Sequence, residues 1–98
     1  MITDSDQLLL LFFSSPRSGP SRRMESLLAH LARKERGRLK VVQIDVDARR
    51  RLADRLGIES APSLVLAQGN RVLARHEGRA SAPQIEAMLE PHLAVLAA

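Results

Sequence analysis

Residues 14–23 read SSPRSGPSRR, and what flanks them decides the architecture. Immediately upstream, residues 7–13 read QLLLLFF, an unbroken apolar run of the kind found in strands covered on both faces. Downstream, Met24, Leu27, Leu28 and Leu31 recur at helical spacing, while Arg22, Arg23, Arg33, Lys34 and Arg36 fall largely outside that stripe. The box Ser18-Gly19-Pro20-Ser21 therefore stands where a central strand turns into a helix that starts at Ser18 or Ser21. Gly37 closes that helix, with cations in its last turn as the helix dipole favours.

Working outward, residues 39–46, LKVVQIDV, form a second strand rich in β-branched side chains. Asp47 is placed to cap a short helix containing Leu52, Ala53 and Leu56, which Gly57 ends. The segment GIESAPS then leads into two apolar runs, LVLA and RVLAR, on either side of Gly69-Asn70, the pattern of a β-hairpin. Ser81 and Gln84 make a capping box with Pro83 in the first turn. The helix they open has Ile85, Met88, Leu89 and Leu93 on its inner face, and Pro91 ends or kinks it. The order is β-α-β-α-β-β-α. The strand-helix-strand crossover makes the first two strands parallel, and the hairpin extends the sheet beyond the first strand, predicting a four-stranded mixed sheet in the order 2-1-3-4 with helices on both faces.

Composition narrows the function classes. A chain of 98 residues has room for one small core, so residues 1–98 are read as a single α/β domain. No apolar run is long enough to span a bilayer and the N-terminus, MITDSD, lacks the basic start of a signal peptide, so the expectation is a cytoplasmic protein with no membrane partner. The net charge of +4 invites a nucleic-acid reading. Two Phe and no Tyr or Trp leave almost no platform for stacking bases, which argues against it. All but Lys34 and Lys40 of the 15 basic residues are arginine, in keeping with a compositional bias of the source genome. With no cysteine, the chain holds no disulfide, no thiolate metal site and no cysteine nucleophile. No metal or cofactor is expected.

The order of elements and four local signals resemble the thioredoxin family over nearly the whole chain. That family ends its central strand in Trp-Cys-Gly-Pro-Cys; here Arg17-Ser18-Gly19-Pro20-Ser21 occupies the place. Its Gly-Ile-x-x-x-Pro-Thr segment, with a cis proline, is matched by Gly57-Ile58-Glu59-Ser60-Ala61-Pro62-Ser63. The hairpin follows, and Gly78 matches the glycine before the last helix. The resemblance implies a minimal thioredoxin fold and assigns Ser18 and Ser21 to the positions of the family's catalytic cysteine pair. Thiol-disulfide exchange needs a thiolate, so Ser18-x-x-Ser21 is redox-inactive as written. The family's proton-relay aspartate corresponds to Phe12, its lysine partner to Gln43 and its motif tryptophan to Arg17, none of which supports that chemistry. Two histories fit the serines: natural loss of disulfide exchange, or a thioredoxin-family oxidoreductase serving redox homeostasis in which serine has replaced one or both cysteines. None of His30, His76 and His92 has a spacing that points to activation of a serine nucleophile.

What the resemblance leaves intact is a binding surface. Family members hold an extended peptide beside the motif and pair it with the backbone before the cis proline. The matching positions are Arg17, Gly19, Pro20, Ser60, Ala61, Pro62 and Gly78, and the partner class is a protein or peptide segment. A second candidate is an anion site in which Arg17, Arg22 and Arg23 reinforce the helix N-terminus. A third concerns assembly: full-length thioredoxins carry an extra strand covering the edge formed here by residues 39–46, so a homodimer through this edge is the sharper expectation. Blunting by Arg38, Lys40 and Asp45 is the plainer one. The triple arginine Arg49–Arg51 reads as a solvated face.

Overall fold

A computed structural model of the chain describes residues 7–97. The elements are β1 (Leu8–Ser14), α1 (Gly19–Lys34), β2 (Leu39–Asp45), α2 (Arg50–Arg55), β3 (Ser63–Gln68), β4 (Arg71–Glu77) and α3 (Ala82–Ala97). They form one sheet in the order β2-β1-β3-β4, with β1 parallel to β2 and antiparallel to β3, and β3 antiparallel to β4. This is the topology that the sequence predicts.

The apolar run works because successive side chains of a strand point to opposite faces. Leu8, Leu10 and Phe12 enter a core built with Met24, Leu28 and Leu31 of α1 and Ile85 and Leu89 of α3. Phe13 enters a second core, on the α2 side, with Ile44, Val46, Ala53, Ile58 and Val65. Phe12 and Phe13 are 1% and 0% exposed, so two neighbouring aromatic residues anchor two separate cores.

The hairpin turn is made by Gly69, at φ 61°, followed by Asn70 with negative φ, the pattern of a type II′ turn. A register shift pairs Leu66 with Ala74 but Ala67 with Val72, which leaves Leu73 as a bulge on β4. That bulge and the exposed Arg71, Arg75 and Glu77 blunt this edge of the sheet. At the opposite edge, among the described residues, β2 pairs with β1 alone and exposes Lys40 and Gln43.

Two local readings are corrected. Asp47 does not cap α2; the N-cap is Arg49, without a side-chain bond, because the Asp45 carboxylate takes the amides of Asp47 (2.8 Å) and Ala48 (3.4 Å) and forms the turn instead. Of the two outcomes read for Pro91, ending or kinking α3, the first is ruled out: the helix continues to Ala97. Leu89 and Leu93 pack against the same core before and after the proline, and Pro91 itself is exposed, so the helix tolerates one missing backbone bond. The capping box forms as read: the Ser81 N–H donates to Gln84 Oε1 (2.8 Å) and the Gln84 N–H to Ser81 Oγ (3.3 Å).

Phe12→Ala empties the centre of the larger core. It is expected to lower unfolding free energy by about 3–5 kcal/mol in urea titrations followed by circular dichroism, and a loss below about 1 kcal/mol contradicts the packing described.

Candidate functional site

The junction between β1 and α1 is held almost entirely by serine. The Ser18 N–H donates to the Ser15 carbonyl (3.0 Å), closing a tight turn, and the Arg17 N–H donates to Ser15 Oγ (3.3 Å). Ser18 is the N-cap of α1: its backbone is extended (φ −94°, ψ 114°) and its Oγ accepts the Ser21 N–H at 3.1 Å. Pro20 lies in the first turn, where its missing N–H costs no helical bond. Ser21 is fully buried, and its Oγ accepts the Ser15 N–H at 3.4 Å, tying helix back to loop. Both serine oxygens are thus structural acceptors. No histidine bonds to either of them among the described residues, so no base is placed to activate a nucleophile.

Behind the junction, Phe12 and Gln43 are register partners on the adjacent strands β1 and β2. Phe12 is closed into the core. The Gln43 amide donates to Ser14 Oγ (3.1 Å) and to Glu25 Oε2 (3.0 Å), which links β2, β1 and α1. Neither Phe nor Gln titrates, so this pair holds structure and moves no proton.

The facing wall is the loop between α2 and β3. Gly57, at φ 73°, turns the chain out of α2, and its carbonyl accepts Arg75 Nη2 at 3.2 Å. The Ala61–Pro62 peptide is cis. Beyond it, the Gly78 N–H donates to the Pro62 carbonyl (2.8 Å) and Ser63 Oγ donates to the Ser60 carbonyl (2.8 Å). Between these anchors the Ala61 N–H and C=O have no hydrogen-bond partner among the described residues.

Loop and junction enclose an open cleft of about 260 Å³. Ser15, Arg17 and Ser18 line it from the junction, Ile58 to Ala61 from the loop, and Val46 and Arg50 from the end of β2 and the start of α2. Of the residues singled out in the sequence, Arg17, Ser18, Ser60 and Ala61 therefore meet. Pro62 is buried behind them, with Gly78 bonded to it, and Ser21 lies beneath the junction. Gly19 lines another opening with Arg22, Arg23 and Glu25, and Arg17 is not among its lining residues. Sequence reasoning misses Arg50 and Glu59. Arg50 sits inside a run of three arginines, and no spacing rule marks which of them turns toward a neighbouring loop. Its guanidinium also pairs with Asp47 (3.4 Å) and Asp54 (3.9 Å). Among the described residues no three His, Asp or Glu side chains gather as a metal site.

Comparison with known proteins agrees with this geometry. The Thioredoxin family model matches residues 1–91. The chain is 29% identical over 92 residues to Thioredoxin 1 of Nostoc sp., a match covering 94% of this chain and 86% of that protein. It is 38% identical over 73 residues to Thioredoxin-1 of Drosophila melanogaster, covering 74% and 68%. Among solved structures, the germline-specific thioredoxin Deadhead of D. melanogaster superposes with a TM-score of 0.82 at 35% identity, over 88% of this chain and 81% of that one. A point-mutant thioredoxin from Halobacterium salinarum gives 0.82 at 27% identity, over 91% and 78%. Fold and sequence agree: this chain belongs to the thioredoxin family.

Proposed function

We propose that this chain is a binding member of the thioredoxin family, one that holds an extended protein or peptide segment in the cleft between the Ser-Gly-Pro-Ser junction and the Ala61–Pro62 loop. Disulfide exchange proceeds through a thiolate and a mixed disulfide, and the chain has no sulfur at Ser18 or Ser21 with which to form one. The observation that carries the proposal is the unpaired Ala61 peptide beside the cleft. One N–H and one C=O without partners among the described residues, on a loop tied down at Gly57, Ser60 and Pro62, offer a short template to which an extended segment can add as a strand. The cleft's size suits one or two side chains of such a segment rather than an enclosed small molecule.

The reading as an oxidoreductase with serine in place of cysteine is not favoured. Exchanging cysteines alone leaves their surroundings as they were, whereas here Phe12 fills the relay position, Gln43 is committed to Ser14 and Glu25, and Arg17 replaces the aromatic residue.

Two experiments test the proposal. Selection of binders from a random library of linear peptides, followed by amide chemical-shift mapping, is expected to move Arg17, Ser18, Ser60 and Ala61. Ala61→Trp is expected to weaken capture roughly tenfold or more in a protein whose circular dichroism is unchanged. Unaltered capture by the folded variant sinks the binding site. Second, the Ser18→Cys/Ser21→Cys variant is expected to form its disulfide but to reduce insulin roughly 100-fold more slowly than an active thioredoxin, because positioned acid-base groups contribute on that order. Full activity in that variant revives the oxidoreductase reading.

A further inference from the structure

The binding cleft is lined with donors. Arg17 is exposed, and its guanidinium makes no hydrogen bond or ion pair among the described residues. Arg50 also lines the cleft from the start of α2, and its guanidinium lies near Asp47 (3.4 Å) and Asp54 (3.9 Å) in exposed ion pairs. The hydroxyls of Ser15 and Ser18 accept backbone amides and so keep their own O–H groups to donate, and the Ser60 hydroxyl has no partner among the described residues. Against these stands one lining carboxylate, Glu59. Even Ala61 adds a free amide.

Donors that face a partner without acceptors lose their water and gain nothing, which makes an acceptor-poor occupant costly. We infer that the segment held here is acidic, with an Asp or Glu side chain seated between Arg17 and Arg50. The inference rests on the binding role proposed above and adds the chemistry of what is bound. The planar guanidinium suits a carboxylate, with which it forms paired, charge-assisted hydrogen bonds. Arg17 matters most, because Arg50 already shares its charge with two carboxylates of its own chain while Arg17 shares its charge with none among the described residues. Arg22 and Arg23 belong to a different opening, so a preference for acidic segments that comes from the cleft is separable from one that comes from the chain's net charge of +4.

The peptide pool selected above supplies the test. Binders recovered by the wild-type protein are expected to be enriched in Asp or Glu at one position. In fluorescence anisotropy at about 50 mM salt, replacing that residue by Gln or Asn is expected to weaken binding roughly fivefold, as is Arg17→Gln, with the two changes non-additive because they remove one interaction. Raising salt to about 500 mM removes most of the difference. Glu59→Gln is expected to tighten the acidic peptide, and Arg22→Gln/Arg23→Gln to leave its advantage over the neutral peptide intact. If binders map to the cleft but show no acidic position, the inference fails while the binding role stands. If no binder maps to the cleft, both fail. If Arg22→Gln/Arg23→Gln abolishes the preference as fully as Arg17→Gln, the preference belongs to overall charge and the inference is overturned.

Discussion

Burial of β1 on both faces is the constraint from which the other features follow. A strand with Phe12 turned into one core and Phe13 into the other is fixed in register and cannot slip by one residue without exchanging the two faces. Its C-terminal end is therefore a fixed point, and so is the loop that leaves it. The Val46 N–H donates to the Ser14 carbonyl there (3.0 Å), so the end of β2 meets the same place, and Ile58 and Val65 reach it through the smaller core. The cleft is assembled at this meeting of strand ends, and its walls inherit the rigidity of the sheet.

Serine at positions 18 and 21 satisfies the start of α1 mechanically and offers no thiol. An N-cap needs a side-chain acceptor close to its backbone, which a hydroxyl provides. The buried Ser21 needs a partner for its polar atom, and the Ser15 amide is that partner. The helix start is thus well satisfied in this state, and the packing of Phe12 removes any place for a buried carboxylate behind it. The polar groups here support the backbone, and neither Phe12 nor Gln43 titrates.

The architecture was legible in the sequence because its signals are local and periodic. The β1 run, the Gly69-Asn70 turn, the Ser81–Gln84 box and the α1 stripe each form from residues close in the chain, and all appear where expected. The failures share a cause. Asp47 looked like a cap, but Asp45, two residues earlier, took the neighbouring amides. Pro91 reads as a stop or a kink, and the helix runs on past it with Leu89 and Leu93 packed on the core on either side. The site was half legible for the same reason. Ser18, Ser60 and Ala61 are marked by motif, whereas the arrival of Arg50 beside them depends on how distant segments pack.

Under the proposed binding role, the lack of thiols also changes what the groove has to accomplish. A thiol-bearing thioredoxin captures its partner through a covalent mixed disulfide, so its non-covalent contacts need only orient the encounter. A chain without sulfur at these positions has no such trap, and occupancy is set by equilibrium affinity alone. A cleft of about 260 Å³ buries too little apolar surface to hold a segment by hydrophobic contact. Main-chain pairing at Ala61 adds one or two hydrogen bonds, each of modest net value in water. On the inferred acidic occupant, charge-assisted bonds to Arg17 and Arg50 would then be the cleft's strongest contacts. They act at its exposed rim, where they favour fast association and partner selection over slow release. On the proposed reading, a site built this way would suit brief, salt-sensitive engagement of an acidic segment.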